Sequence, residues 1–467
     1  MKIGKSKLIL STIEIVYIIS FVFFYMVEKE KGIMLSRYYD IIFPWVIGLI
    51  LVNIVIFFFM KYSIYDFGMW FIIMSFIFMF GTVFTQKYNF SSTLLWNPVG
   101  YYTYRQLFDS LSFAILCIAT FSLGYMLAYE NELRKLKSTS KETNINYNMF
   151  YIGGVLFVIG LVCRLYTDLN IIKNTVGFNS YSAYDLASST GLFDDFVVFF
   201  IPGIAFLVFS NVLSKSKDNI LIFFGLFYFF ITMSLTGSRK TQIFSVLTLL
   251  LIYLANQKGK IKKTKIIISV FIAILLLNLM VTIRDNRFNI ASILPIYFEN
   301  IMSGKLLSTL AGEILTETGI TLYSITNIIS CVPTVFPFQY GMTFIKTIPS
   351  ALPIGWLLPD FFDSVSSTNV INKYKQLPVG SSLFGDFYWN FGFCGGILFS
   401  FMFGILICFL MKKIGMVTQK EKAVYFSIFG YLILLVRSEP FDIYRSIVYV
   451  LVLIIIVNAI VNRLRAK

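Results

Sequence analysis

The 467-residue chain contains no histidine. That excludes Ser-His-Asp triads, histidine general bases and the two-histidine zinc motif of metalloproteases. Charge is nearly as scarce: 13% of residues, against roughly 25% in soluble domains, so water is not the solvent of most of the surface. The cysteines, Cys117, Cys163, Cys331, Cys394 and Cys408, are scattered without a CxxC or a metal-ligand spacing. They indicate neither a disulfide framework nor a zinc site, and most read as small buried apolar residues. A signal-peptide cleavage site is missing as well. Lys2, Lys5 and Lys7 precede an apolar run, but Glu28-Lys29-Glu30-Lys31 follows it, so the run is a retained first span. No internal repeat or low-complexity tract stands out, and only 129–148 has the composition of a linker.

What the chain has instead is apolar bulk: 57% hydrophobic residues and 18% aromatics, with 51 Phe and 28 Tyr. Runs of spanning length lie at 8–27, 41–60, 67–85, 107–128, 149–166, 193–213, 220–236, 241–256, 266–283, 388–411, 423–437 and 443–461. These predict an all-α polytopic integral membrane protein of about twelve transmembrane helices. Lys+Arg exceed Asp+Glu by 39 to 24. Because the excess sits in short connections, it is a topology signal and not a nucleic-acid footprint. With the N-terminus inside, 22 cations fall on the inner side and 16 on the outer, Arg164 lying within a span. The dense run Lys258-Gly259-Lys260-Ile261-Lys262-Lys263-Thr264-Lys265 is on the inner side, so both termini are expected in the cytoplasm.

The division that follows is a bundle over 1–283 of about nine helices, a large extracytoplasmic loop over 284–387, and a bundle over 388–467 of about three. A loop of that length should carry short helices of its own, and the function. Inside it, 306–332 is apolar but interrupted by Glu313, Glu317 and Gly319, which predicts an interfacial or re-entrant helix pair. The Pro-rich piece 348–360 reads as a turn region.

Four polar breaks carry candidate chemistry. Thr236-Gly237-Ser238-Arg239-Lys240-Thr241 is a turn opening a helix, whose free N–H groups with Arg239 and Lys240 make an anion site; a plain hairpin touching lipid headgroups is the alternative. Arg284-Asp285-Asn286-Arg287 offers two guanidinium groups for pyrophosphate, or an internal salt bridge. In Leu377–Gly392, Ser381 or Ser382 caps a helix whose next turn holds Asp386, while Tyr388 and Trp389 fit an aromatic belt. Arg437-Ser438-Glu439-Pro440-Phe441-Asp442-Ile443-Tyr444-Arg445 places four ionisable residues in one tight turn, a functional candidate unless mutual pairing explains them. Glu14, Asp109, Arg164, Asp168, Asp194 and Asp195 read as charges snorkelling from span ends, with an ion or proton route as the sharper reading.

Together these motifs resemble the Wzy-type O-antigen and capsule repeat-unit polymerases. The resemblance rests on the dozen spans with one large late outer loop, the TGSRK turn at Thr236–Lys240, the GSSLFGDFYWNFGFCGG stretch at Gly380–Gly396, and the arginine-bearing turn with Arg437 and Arg445. It implies a GT-C-like glycosyltransferase. Such an enzyme transfers a growing glycan from undecaprenyl diphosphate onto the next lipid-linked repeat at the outer face of a bacterial cytoplasmic (inner) membrane. Arg239, Lys240, Arg284, Arg287, Arg437 and Arg445 would bind diphosphate, and Asp386, Glu439 and Glu313 are the candidate catalytic carboxylates. No metal or cofactor is implied. The implied partners are lipid-linked oligosaccharides, membrane lipid, a chain-length regulator and a flippase, and no nucleic acid. Independently of the resemblance, a lipid diphosphate is already a good leaving group, so cations and one carboxylate suffice and histidine is dispensable. O-antigen ligases, similar in layout, generally rely on an outer-loop histidine, which this chain lacks. A lipid-linked-oligosaccharide flippase or other transporter is the competing reading; it predicts short loops, repeat symmetry and charges near mid-span.

Overall fold

The computed structural model describes residues 5–31, 38–90, 101–130, 145–177, 191–236, 240–257, 279, 282–283, 290–303, 306–352, 359–377 and 379–465. The described residues are helical and contain no strand. That is what a chain in lipid requires, since a helix satisfies its backbone groups within itself. In chain order the main helices are α1 (Lys5–Lys31), α2 (Tyr38–Met60), α3 (Phe67–Tyr88), α4 (Tyr104–Ala128), α5 (Tyr147–Gly177) and α6 (Leu192–Phe209). They continue with α7 (Lys215–Thr236), α8 (Lys240–Asn256), α9 (Ile290–Met302), α10 (Leu306–Gly319), α11 (Leu322–Cys331), α12 (Met342–Thr347), α13 (Leu383–Ile414), α14 (Gln419–Leu434) and α15 (Pro440–Arg465).

Among the described residues nine helices are long and apolar enough to cross a membrane: α1 to α7, α13 and α15. Of the other three expected spans, α8 has 17 residues and α14 has 16, about 25 Å of helix against a core of about 30 Å. The third, 266–283, lies almost entirely outside the described residues. Four of the five cysteines are buried, and Cys394 is exposed.

The chain forms two compact units. Unit 1 comprises Met1–Arg134, Ala311–Lys413 and Leu435–Tyr444. Its central element is α4, buried on nearly every side, as an all-round apolar helix must be. A capping box starts it: Thr103 accepts from the Gln106 N–H at 3.3 Å while the Gln106 side chain accepts from the Thr103 N–H at 2.9 Å. Helices α1, α2, α3 and α11 all pack on α4. The α10–α11 pair is inserted into this bundle. Gly81 and Gly319 permit it: a side-chain carbon on Gly81 would run into the Leu315 carbonyl, and one on Gly319 into the Thr82 backbone. Thr318 Oγ1 reaches the Ile77 carbonyl at 3.3 Å, halfway along α3.

Unit 2 comprises Lys135–Leu310, Ile414–Leu434 and Arg445–Lys467. Here α5 packs along α6, α7 pairs with α8, and α14 packs on both α6 and α8. One of its charged pairs lies within the bundle. Arg164 Nε bonds Asp168 Oδ2 at 2.9 Å and Tyr228 donates to the same oxygen at 2.6 Å. The snorkelling expected of Arg164 and Asp168 is thus replaced by a largely buried ion pair.

Candidate functional site

A reversal at Gly392 positions the motif that leads into the tenth expected span. Gly392 has φ 67° and ψ −168°, a region that only glycine enters cheaply. The chain doubles back there. Phe391 stacks on Phe399 with ring centroids 3.6 Å apart, and Phe387 lies 6.0 Å from Phe403; a straight helix would separate these pairs by about 12 and 24 Å. The first nine residues of α13 therefore run antiparallel to the rest, which also explains how 32 residues fit beside spans of ordinary length. The carbonyls left open at the end of the short arm are taken by Gln339 N–H on Trp389 (3.1 Å) and Tyr340 N–H on Asn390 (2.9 Å). Buried Asn390 locks the arm: it accepts from Gly341 N at 3.0 Å and donates to the Asp386 carbonyl at 2.8 Å. Trp389 is not in an aromatic belt. It is buried with Ile328, Cys331, Val332 and Ile371, because the reversal turns it into the protein.

Ser382 caps the arm, accepting from Gly385 N at 3.2 Å and from Ser324 Oγ at 3.1 Å. Asp386 follows one turn later and is 4% exposed. Among the described residues no donor hydrogen-bonds its Oδ1, although Ser367 bonds the carboxyl. The arm is tied to the 435–439 turn by Leu383 N–H on the Leu435 carbonyl at 3.0 Å. That turn brings in Glu439, also buried, whose Oε1 accepts from Ser366 Oγ at 2.9 Å and Thr368 N at 3.0 Å. Adjacent residues Ser366 and Ser367 thus serve the two carboxyls, and Ser367 is 2.7 Å from Ser381. The charge of Glu439 bears directly on Asp386. Burial, then the neighbouring Asp442, holds the Glu439 carboxyl above its usual value, opposed by the Thr368 and Ser366 hydrogen bonds. In the same turn the guanidinium of half-buried Arg437 sits over the Phe78 ring, 5.6 Å from its centroid.

The structure brings together Asp386, Glu439 and Arg437, all in unit 1. Glu313 is buried in the same unit, on α10. Arg445 belongs to unit 2, where it pairs with Asp195 and lies over Tyr449. Arg239, Arg284 and Arg287 lie outside the described residues; Lys240 opens α8, its side chain likewise outside. Sequence reasoning missed Ser366, Ser367 and Thr368, which lie in a mixed polar segment, 359–377, that does not set them apart. Among the described residues no three His, Cys, Asp or Glu side chains gather as metal ligands. What the arrangement offers is a buried acid with one oxygen free to take a proton, a second acid oriented beside it, and a cation in the same turn.

Residues 9–465 match the family described as O-antigen polysaccharide polymerase Wzy, and the chain belongs to that family. No curated protein and no solved structure matches it.

Proposed function

We propose that this member of the Wzy family polymerises undecaprenyl-diphosphate-linked oligosaccharide repeats, of O-antigen or capsule, at the outer face of the bacterial cytoplasmic membrane. Both termini are then cytoplasmic, the layout is GT-C-like, and 284–387 is the extracytoplasmic connection between the bundles 1–283 and 388–467. The accepting sugar hydroxyl on the new repeat gives its proton to Asp386 as its oxygen bonds the donor's anomeric carbon. The bond from that carbon to the diphosphate oxygen breaks, and the lipid diphosphate leaves with the electron pair. Glu439, fixed by Ser366 and Thr368, orients the Ser367 segment around Asp386; Glu313 is the reserve candidate for the acid. Arg437 and the outer cations Arg239, Lys240, Arg284 and Arg287 neutralise the leaving diphosphate. Arg445, already held by Asp195, is the weakest of that group. A chain-length regulator and a flippase are the proposed partners.

The observation that carries the reading is Asp386: buried, with one oxygen that receives no donor among the described residues, in the same polar cluster as a second carboxyl. A flippase is not favoured, since the family match is to a polymerase. The test is polymerisation by the purified protein from lipid-linked repeat alone. Asp386→Asn should lower the rate by about 10²- to 10⁴-fold, the usual contribution of a general base. Unchanged glycan from Asp386→Asn at equal protein amount would remove the assignment.

A further inference from the structure

The residues that hold Glu439 open a short segment whose far end reaches the Asp386 arm. Ser366 and Thr368 bond the Glu439 carboxyl. From Thr368 the chain makes one π-helical turn, Thr368–Asn372, a rare geometry that is frequent at functional sites. Its last two residues both serve the arm. Ile371 is buried with Trp389, near the arm's end, and Asn372, buried as well, donates through Nδ2 to the Gly380 carbonyl just ahead of its start. The directions of the bonds around Asn372 follow from that contact. A carbonyl can only accept, so Nδ2 faces Gly380 and Oδ1 is left for the Asn327 amide on α11, at 2.8 Å. Asn327 Oδ1 is thereby turned to the hydroxyl of Tyr102, ahead of α4, which donates to it. Asn327 and Tyr102 are buried too, and every member of the chain lies in unit 1.

These bonds close a ring. Leu383 N–H on the Leu435 carbonyl ties the arm to the 435–439 turn at one point, and a single hydrogen bond is a pivot. A second tie runs from Glu439 through Ser366 and Thr368 to Asn372 and on to Gly380, with Ser367 and Ser381 touching at 2.7 Å between its two sides. Two ties fix a spacing where one leaves a swing. The Asn327–Tyr102 chain then anchors the ring to α11 and to the start of α4. We propose that Asn372 is a positioning residue for polymerisation: it sets the spacing of the Asp386 and Glu439 carboxyls and acts through them, without touching substrate. This role presupposes the assignment of Asp386 and Glu439 to the reaction. Opening the ring on either side frees the same swing, so a second opening should cost little beyond the first.

The test is a double-mutant cycle on the purified full-length protein, with initial rates of polymer formation measured against the concentration of lipid-linked repeat for folded, monodisperse enzyme. Asn372→Ala should lower kcat on the order of 10- to 100-fold, the cost of a misplaced reacting group, and leave KM near wild type. In a Glu439→Ala background the same substitution should cost no more than about twofold further, whereas a residue that only supports the fold loses the same factor in both. Equal losses in the two backgrounds, or a wild-type kcat for Asn372→Ala, would overturn the proposal and leave Asp386 in place. A wild-type rate for Asp386→Asn would remove the assignment beneath it, and the proposal with it. Should Asn372→Ala or Glu439→Ala fail to fold, Tyr102→Phe and Ser366→Ala each delete one hydroxyl from the same chain of bonds. Their combined loss in kcat must then fall short of the product of the single losses; multiplying losses, or a wild-type kcat in both, would likewise overturn the proposal.

Discussion

Gly392→Ala is a perturbation on which two pictures of α13 disagree in sign. If α13 were one straight helix, alanine would replace a helix-interior glycine and stabilise the protein by roughly 0.5–1 kcal/mol. In the hairpin, residue 392 sits at φ 67° and ψ −168°, where a side chain costs about 1–3 kcal/mol. The added carbon would also press on the Phe338 ring at 3.3 Å, and overpacking adds about 1–3 kcal/mol more. Together the loss is on the order of 2–6 kcal/mol, a large part of a stability of about 5–15 kcal/mol. The assay is thermal unfolding in detergent at a fixed scan rate, comparing wild type with Gly392→Ala. A clear fall in apparent Tm is expected, together with loss of polymer, because Asp386 rides on the short arm. A Tm equal to or above wild type would refute the hairpin. So would failure of the Phe387→Cys/Phe403→Cys pair to cross-link in an otherwise cysteine-free background, since those positions are neighbours only if the chain turns back.

Folding disfavours the charged form of Glu439, so its carboxyl contributes stability below the unfolded-state value of about 4.3 and loses it as pH rises through the higher folded-state value; the Tm of Glu439→Gln relative to wild type should therefore climb between acid and neutral pH, and a pH-independent difference would contradict this. Arg239→Ala and Arg284→Ala should each cost on the order of 2–4 kcal/mol, or roughly 30- to 1000-fold in rate, with lysine a poor rescue at a direct diphosphate contact; long glycan from both in a rate-sensitive assay would remove both from the site. Polymerisation by purified protein should persist in EDTA, because guanidinium groups neutralise the diphosphate without Mg²⁺ and the chain has no DxD pair; loss on chelation with recovery on adding metal would count against it. Impermeant labelling of intact cells should reach a cysteine at 373 and not one at 260, and the opposite pattern would invert the topology.

The helices were legible because lipid imposes a length and an apolar composition that a sequence displays openly. The Gly392 reversal was not: the apolar run continues through it, and a glycine followed by Phe393, Cys394, Gly395 and Gly396 looks like ordinary small-residue packing. With the reversal hidden, Trp389 was read as facing the bilayer when it faces the core. The acid pair was half legible. Glu439 stood out as a costly charge and Asp386 through the resemblance, but their joining depends on Ser366, 73 residues before Glu439 in sequence, and on Ser367. A serine is mute in composition because it is as much at home in a turn as in a network.

Residue type alone also misjudged the other intramembrane charges, for one physical reason. A buried polar group is tolerated when each donor meets an acceptor, and that pairing is a property of three or four helices at once. Arg164 is settled by Asp168 and Tyr228, Arg445 by Asp195, Asp109 by the Tyr25 hydroxyl at 2.9 Å. Each of these groups is held by a partner within the protein. Asp386 departs from that pattern: its arm is capped, clamped by Asn390 and sealed by Trp389, yet among the described residues one carboxyl oxygen has no donor. Rigid support on all sides of an unfilled acceptor is what a site needs when the missing donor is the hydroxyl of its substrate.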